Sequence, residues 1–200
     1  MVTVKQIERS WSGQQYERLY RGLVSCRPEA DLNLDFDANW SIPAAAIALI
    51  RMDELSQSHV PLYRQLLKML LAAQQIDGGW IDPATTALAL RALLCGAGNG
   101  LAIERGMAFL ANLQKPEGLW PRFPLRRMPE DALVSAFIVF ELGGQPAFQS
   151  AVRVDDLAAW FDANEPFLDK ATRDLWRQAA RRCRAPVPSV STRMMALSWS

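Results

Sequence analysis

Histidine is almost missing from these 200 residues: His59 stands alone. A single imidazole does not build a histidine-rich metal centre, so His59 reads as a surface residue and no metal or cofactor is expected. Cysteine is scarce as well. Cys26, Cys95 and Cys183 are far apart and show no CxxC spacing, which excludes a disulfide framework and a zinc ribbon. Cys95 lies in an apolar pattern and reads as a small core residue. No apolar run approaches the ~18 residues of a membrane span, and the polar amino terminus has no signal-like core. No integral membrane segment and a cytoplasmic location are therefore expected. Net charge is only +1, so nothing favours nucleic acid or an anionic membrane. The one basic concentration, Arg177, Arg181, Arg182 and Arg184, reads as the C-terminal end of a helix, where cations complement the dipole.

Half of the residues are apolar and 22% are charged, the balance of an ordinary globular domain. Strand-like alternation is absent, and helical spacing recurs instead. The pattern predicts an all-α chain of seven or eight main helices, with a single domain over residues 1–185 and a Pro/Ser-rich tail over 186–200. A helix is expected near Gln14–Leu23 and a loop from Cys26 to Asn39. Two kinds of helix follow. Those opening at Pro61 and at Ile103 are apolar on one stripe. Those opening at Pro43, at Pro83 and at Glu130 are apolar nearly all round, which marks a buried helix. Two more one-sided helices are expected near Phe148–Phe161 and Leu168–Cys183.

These helices are punctuated at one interval. Trp40, Trp80 and Trp120 are spaced evenly, each with an acidic residue three positions earlier (Asp37, Asp77, Glu117). Gln74 and Gln114 precede the last two, as do Gly78 and Gly118. Pro43 and Pro83, and Arg51 and Arg91, repeat in the same frame. This is an internal repeat, a one-sided helix joined by a Gln-to-Trp turn to a buried helix. One such unit cannot bury both its helices alone, so copies stack side by side.

The stretch Arg105, Gly106, Phe109, Leu110, Gln114, Gly118 and Trp120 resembles the QW motif of the terpenoid cyclase and protein prenyltransferase superfamily, to which squalene–hopene cyclase belongs. The copy ending at Trp80 keeps the second half, and the copy ending at Trp40 is degenerate. The resemblance covers roughly residues 14–165. It implies an α/α toroid in which inner and outer helices surround an apolar cavity, with the Gln capping helix ends and stacking on the Trp. This chain is short for a closed ring, so an incomplete toroid of about three helix pairs is expected. Its open side would be covered by the C-terminal helices, by a second copy in a homodimer, or by a partner in a hetero-complex.

Class II members of that superfamily protonate an alkene or epoxide with the middle Asp of a DxDD motif. Asp35 and Asp37 resemble part of it, but the repeat aligns Asp37 with turn residues. The better match opens the buried helix after Trp120, at Met128-Pro129-Glu130-Asp131, where Glu130 and Asp131 are the candidate acids. The same residues also make an ordinary acidic first turn. Asp82, Thr85 and Thr86 open the preceding buried helix, and Asp82 and Thr86 are candidate ligand contacts. Arg122, Arg126 and Arg127 crowd the loop after Trp120 as candidates for an anionic head group. The Asp-rich magnesium motif of class I cyclases and the zinc ligands of prenyltransferases are absent. Two functions follow. One is an isoprenoid cyclase of the isomerase or lyase type, or a binding protein, holding an apolar ligand between inner helices. The other is a non-catalytic helical scaffold or subunit that holds a partner protein.

Overall fold

The computed structural model describes residues 38–96, 99–121 and 131–184. Within them the chain is all helix, with no strand, in eight α-helices. These are α1 (Ala38–Glu54), α2 (Pro61–Ala72), α3 (Pro83–Cys95), α4 (Gly100–Leu113), α5 (Asp131–Leu142), α6 (Pro146–Ala151), α7 (Val154–Asn164) and α8 (Lys170–Arg184). A 3-10 turn, Glu165–Phe167, joins the last two. The expected helix near Gln14–Leu23, Asp35 and Asp37, and the 186–200 tail lie outside the described residues.

Two boundaries differ from expectation. Helix α1 begins at Ala38 and runs through Pro43, although an interior proline gives up one ladder hydrogen bond and crowds the carbonyl four residues before it. The single helix expected over Phe148–Phe161 is two. The chain straightens at Val152 and Arg153, where the Arg153 backbone N–H is taken by the Gln114 side chain at 2.8 Å and so leaves the helical ladder.

The helices form two layers. In the first, α1 packs on α3, α3 on α5, and α5 on α8. In the second, α2 lies against α1, and α4 lies against α3 and α6. Composition explains the sorting. Every residue of α3 from Pro83 to Leu90 is buried, as is α5 from Val134 to Phe140. Helix α2 buries only Tyr63, Leu66 and Leu70. Helix α8 is one-sided too, burying Thr172, Trp176 and Ala179, and so it closes the inner row with a polar back. The inner faces of α3 and α5 are covered among the described residues, and α8, one of the C-terminal helices expected as a cover, packs on α5.

The turns between layers carry the same bonds twice. Trp80 Nε1 donates to Leu70 O at 2.7 Å, and Trp120 Nε1 to Leu110 O at 2.8 Å, so each fully buried indole folds back on the helix before it. Each Trp backbone N–H donates to a hydroxyl in the inner helix ahead, Thr86 Oγ1 or Ser135 Oγ, both at 2.9 Å. The glutamines reach elsewhere. Gln74 Nε2 donates to Gly78 O and to Ala102 O in α4. Gln114 Nε2 donates to Gly118 O and to Arg153 O at the start of α7. Each glutamine thus binds its turn to the helix that follows the inner one, α4 or the start of α7, and the Trp amide makes the tie to the inner helix.

Two glycines permit this close docking. Gly78 and Gly118 have φ of +95° and +89°, a region costly for other residues. A Cβ on Gly118 would lie 2.5 Å from the Leu157 nitrogen. Gly118→Ala should therefore lower stability by about 2 kcal/mol or more, combining backbone strain with the clash. A urea unfolding curve measures this; a loss well under 1 kcal/mol would mean the turn can move off α7.

Candidate functional site

The inner helices open at Asp82 and Asp131, and the turn hydroxyls show that these positions correspond. Thr86 lies four residues after Asp82 and Ser135 four after Asp131, and both hydroxyls receive the Trp amide. Between Trp and acid the first turn has one residue, Ile81, whereas the second has residues 121–130. That insertion carries Arg122, Arg126, Arg127 and Glu130, which lie outside the described residues.

Asp82 is 5% exposed. Its Oδ1 accepts from the Thr85 backbone N–H at 2.8 Å, and Oδ2 from the Thr85 hydroxyl at 2.9 Å, so it is the N-cap of α3. Burial pushes its carboxyl above the ordinary value, against the lowering pull of the Thr85 and Ala84 donors. Thr86 is fully buried, and its hydroxyl is engaged by the backbone of Trp80. The turn between them is tight: the Asp82 amide donates to Trp80 O at 2.6 Å, leaving Ile81 at φ +62°. A β-branched residue there stores strain on the order of 1–2 kcal/mol. The Ile81 side chain is 37% exposed beside the buried acid.

Asp131 is engaged differently. Its Oδ2 pairs with Lys115 Nζ at 2.5 Å, and its backbone carbonyl accepts from Ser135 Oγ. The hydrogen bond to Asp131 raises the Lys115 ammonium. The Lys115 backbone N–H, in the turn before Trp120, donates to Leu119 O, so this ion pair ties the Gln-to-Trp turn to the mouth of α5. Lys115 was not singled out by sequence, since it stands outside the repeated positions.

Arg105 and Arg153 were also more than spacing showed. The Arg105 guanidinium donates to Gln75 O and Ile76 O, and that of Arg153 to Gln114 O and Lys115 O. Each latches the nearest preceding Gln-to-Trp turn, with an inner helix lying between that turn and the arginine in the chain. His59 is exposed, as expected, whereas Cys95 is only half-buried, being the last residue of α3.

A cleft of about 560 Å³ opens between α6, α7 and α8, lined by Arg153, Asp155, Asp156, Trp176 and Arg184 among others. It touches neither Asp82 nor Asp131. Among the described residues no three His, Cys, Asp or Glu side chains gather as metal ligands, and no helix is long and apolar enough to cross a membrane.

With this geometry in view, comparison with known proteins gives one distant likeness. Over 134 residues the chain is 27% identical to a drimenyl diphosphate synthase of Streptantibioticus cattleyicolor, covering 64% of this chain and 22% of that protein. The chain thus spans about a fifth of that relative's length. No family model matches the chain, and no solved structure does.

The raised Asp82 carboxyl makes stability depend on pH in a defined direction. Its contribution is fully present below the unfolded value, near 3.8, and is lost as pH rises through the raised folded value. Asn keeps the capping oxygen without the charge. Relative to wild type, Asp82→Asn should therefore gain stability as pH rises from about 4 to about 7. Urea midpoints across that range measure the gain; a difference constant with pH would contradict it.

Proposed function

We propose that this chain is a terpenoid-cyclase-like α/α-repeat protein, an arc of a toroid, that holds an apolar isoprenoid-type ligand against its inner helices. Its chemistry would be protonation of a ligand double bond. The observation that carries this reading is the likeness to drimenyl diphosphate synthase, supported by the duplicated Gln-to-Trp turns.

Protonating an alkene needs a carboxylic acid that stays neutral in a water-poor setting. Asp82 suits that need better than Asp131. Burial favours its protonated form, whereas Asp131 serves an ammonium as the anionic partner. In this reading Asp82 is the proton donor and the Thr85 hydroxyl orients it. Glu130, in the insertion before α5, is the remaining candidate acid, and Arg122, Arg126 and Arg127 would receive an anionic head group. Isoprenoid carbons would lie against Ile81.

A second reading has its own support. Asp82, Asp131 and Thr86 are all engaged as helix caps and turn ties, which is what a non-catalytic scaffold for a partner protein requires.

The two readings separate in one experiment. The protein is incubated with farnesyl diphosphate, geranylgeranyl diphosphate and squalene, and products are sought by mass spectrometry. The cyclase reading expects new cyclic products, lost by about a hundredfold or more in Asp82→Asn and retained in Asp131→Asn. No product, together with no ligand-induced rise in melting temperature, leaves the scaffold reading.

A further inference from the structure

After α1 and after α3 the chain turns outward and lays its next helix against the one it has just left: α2 packs on α1, and α4 on α3. Helix α8 is the last inner helix described, and residues 185–200 follow it. The flank of α8 that faces α7 has room for such a segment. Two clefts meet there, one of about 560 Å³ and one of about 290 Å³, and they share Asp162, Trp176, Ala180 and Arg184. Together they form one groove between the two helices.

The floor of this groove is apolar. Val154 and Ala158 of α7 and Ala180 and Cys183 of α8 line it and are only half-buried. Trp176, stacked on Phe161 with ring centroids 4.1 Å apart, lies beneath them. By contrast, α4 buries Ala102, Met107 and Leu110. The rim carries charge. Asp155 and Asp162 are exposed and make no ion pair among the described residues, whereas Asp156 is 3.4 Å from Arg153. An apolar floor under free carboxylates suits a peptide segment that carries apolar side chains and a cation.

Residues 185–200 have that composition. Pro186 and Pro188 interrupt a continuation of α8. Beyond them Arg193 is the one charged residue, and Met194, Met195, Leu197 and Trp199 follow it. Methionine is unbranched and fills an irregular cleft readily. Reach is sufficient. Arg184 itself lines both clefts, so the segment starts at the groove. From there to Met194 the chain can extend about 33 Å, whereas the whole of α7 rises only about 16 Å. A short tether also holds the segment at an effective concentration on the order of millimolar, so weak contacts are enough to seat it.

We propose that residues 185–200 fold back as the outer element of the last inner helix, with Met194, Met195 and Trp199 in the α7–α8 groove and Arg193 facing Asp162. This docking is independent of the isoprenoid reading and of Asp82.

Cys183 is the one thiol on the groove. Its modification by methyl methanethiosulfonate in the full chain, followed by peptide mass mapping, reports whether the groove is covered. The double variant Met195→Asp, Trp199→Asp should react at least about tenfold faster than wild type. Arg193→Glu should react about threefold faster, and adding Asp162→Lys to it should bring the wild-type rate back. A synthetic peptide of residues 185–200, supplied at roughly millimolar concentration, should protect Cys183 of the double variant again. The proposal is overturned if the double variant reacts at the wild-type rate, or if the peptide gives it no protection. It is overturned too if wild-type protection fades on dilution, which would assign the cover to a second copy of the chain.

Discussion

A glutamine amide holding two carbonyls at once is the bond on which this architecture depends. Gln74 spans Gly78 and Ala102, and Gln114 spans Gly118 and Arg153. One carbonyl closes the turn and the other belongs to the next outer helix. Both amide hydrogens are used, so a side chain with a single donor would release one segment. Gln149, within α6, also spans two carbonyls, Gly143 O after α5 and Cys183 O in α8 of the inner row. A buried amide is expensive to leave unmatched, and this sets where each outer helix begins relative to its neighbour. The buried indoles then fix depth, and the hydroxyls of Thr86 and Ser135 fix the inner helices.

Much of this was legible in the sequence because the repeat is regular where the physics is local. The interval between Trp80 and Trp120, the glycines ahead of them and the all-round apolarity of Ala84–Leu94 each follow from one turn or one helix. What escaped was long-range. That Gln114 would reach Arg153, or that α8 would close the inner row, depends on contacts between segments that share no pattern. The start of α1 escaped for a different reason: a proline marks a first turn often enough that a helix running through it gives no warning.

The candidate acids show the same division. Sequence placed Asp82 and Asp131 at helix mouths, and that is where they are. It could not show that one is buried against threonine while the other meets Lys115. Position along the chain is common to both, and their protonation chemistry is set by what crosses over them. Correspondence between repeats therefore identifies equivalent places without identifying equivalent functions.

Arg105 belongs by sequence to the motif that ends at Trp120, yet it secures the carbonyls of Gln75 and Ile76, and Gly106 leaves room for the Trp80 ring. The front of the signature serves the preceding unit and the back serves its own. Its natural boundary is thus the seam between neighbours, and the last turn of any such series needs a cation from a helix that carries no full signature. Arg153 fills that vacancy. A series can therefore end without a matching copy to follow it, where a cation such as Arg153 stands against the last turn.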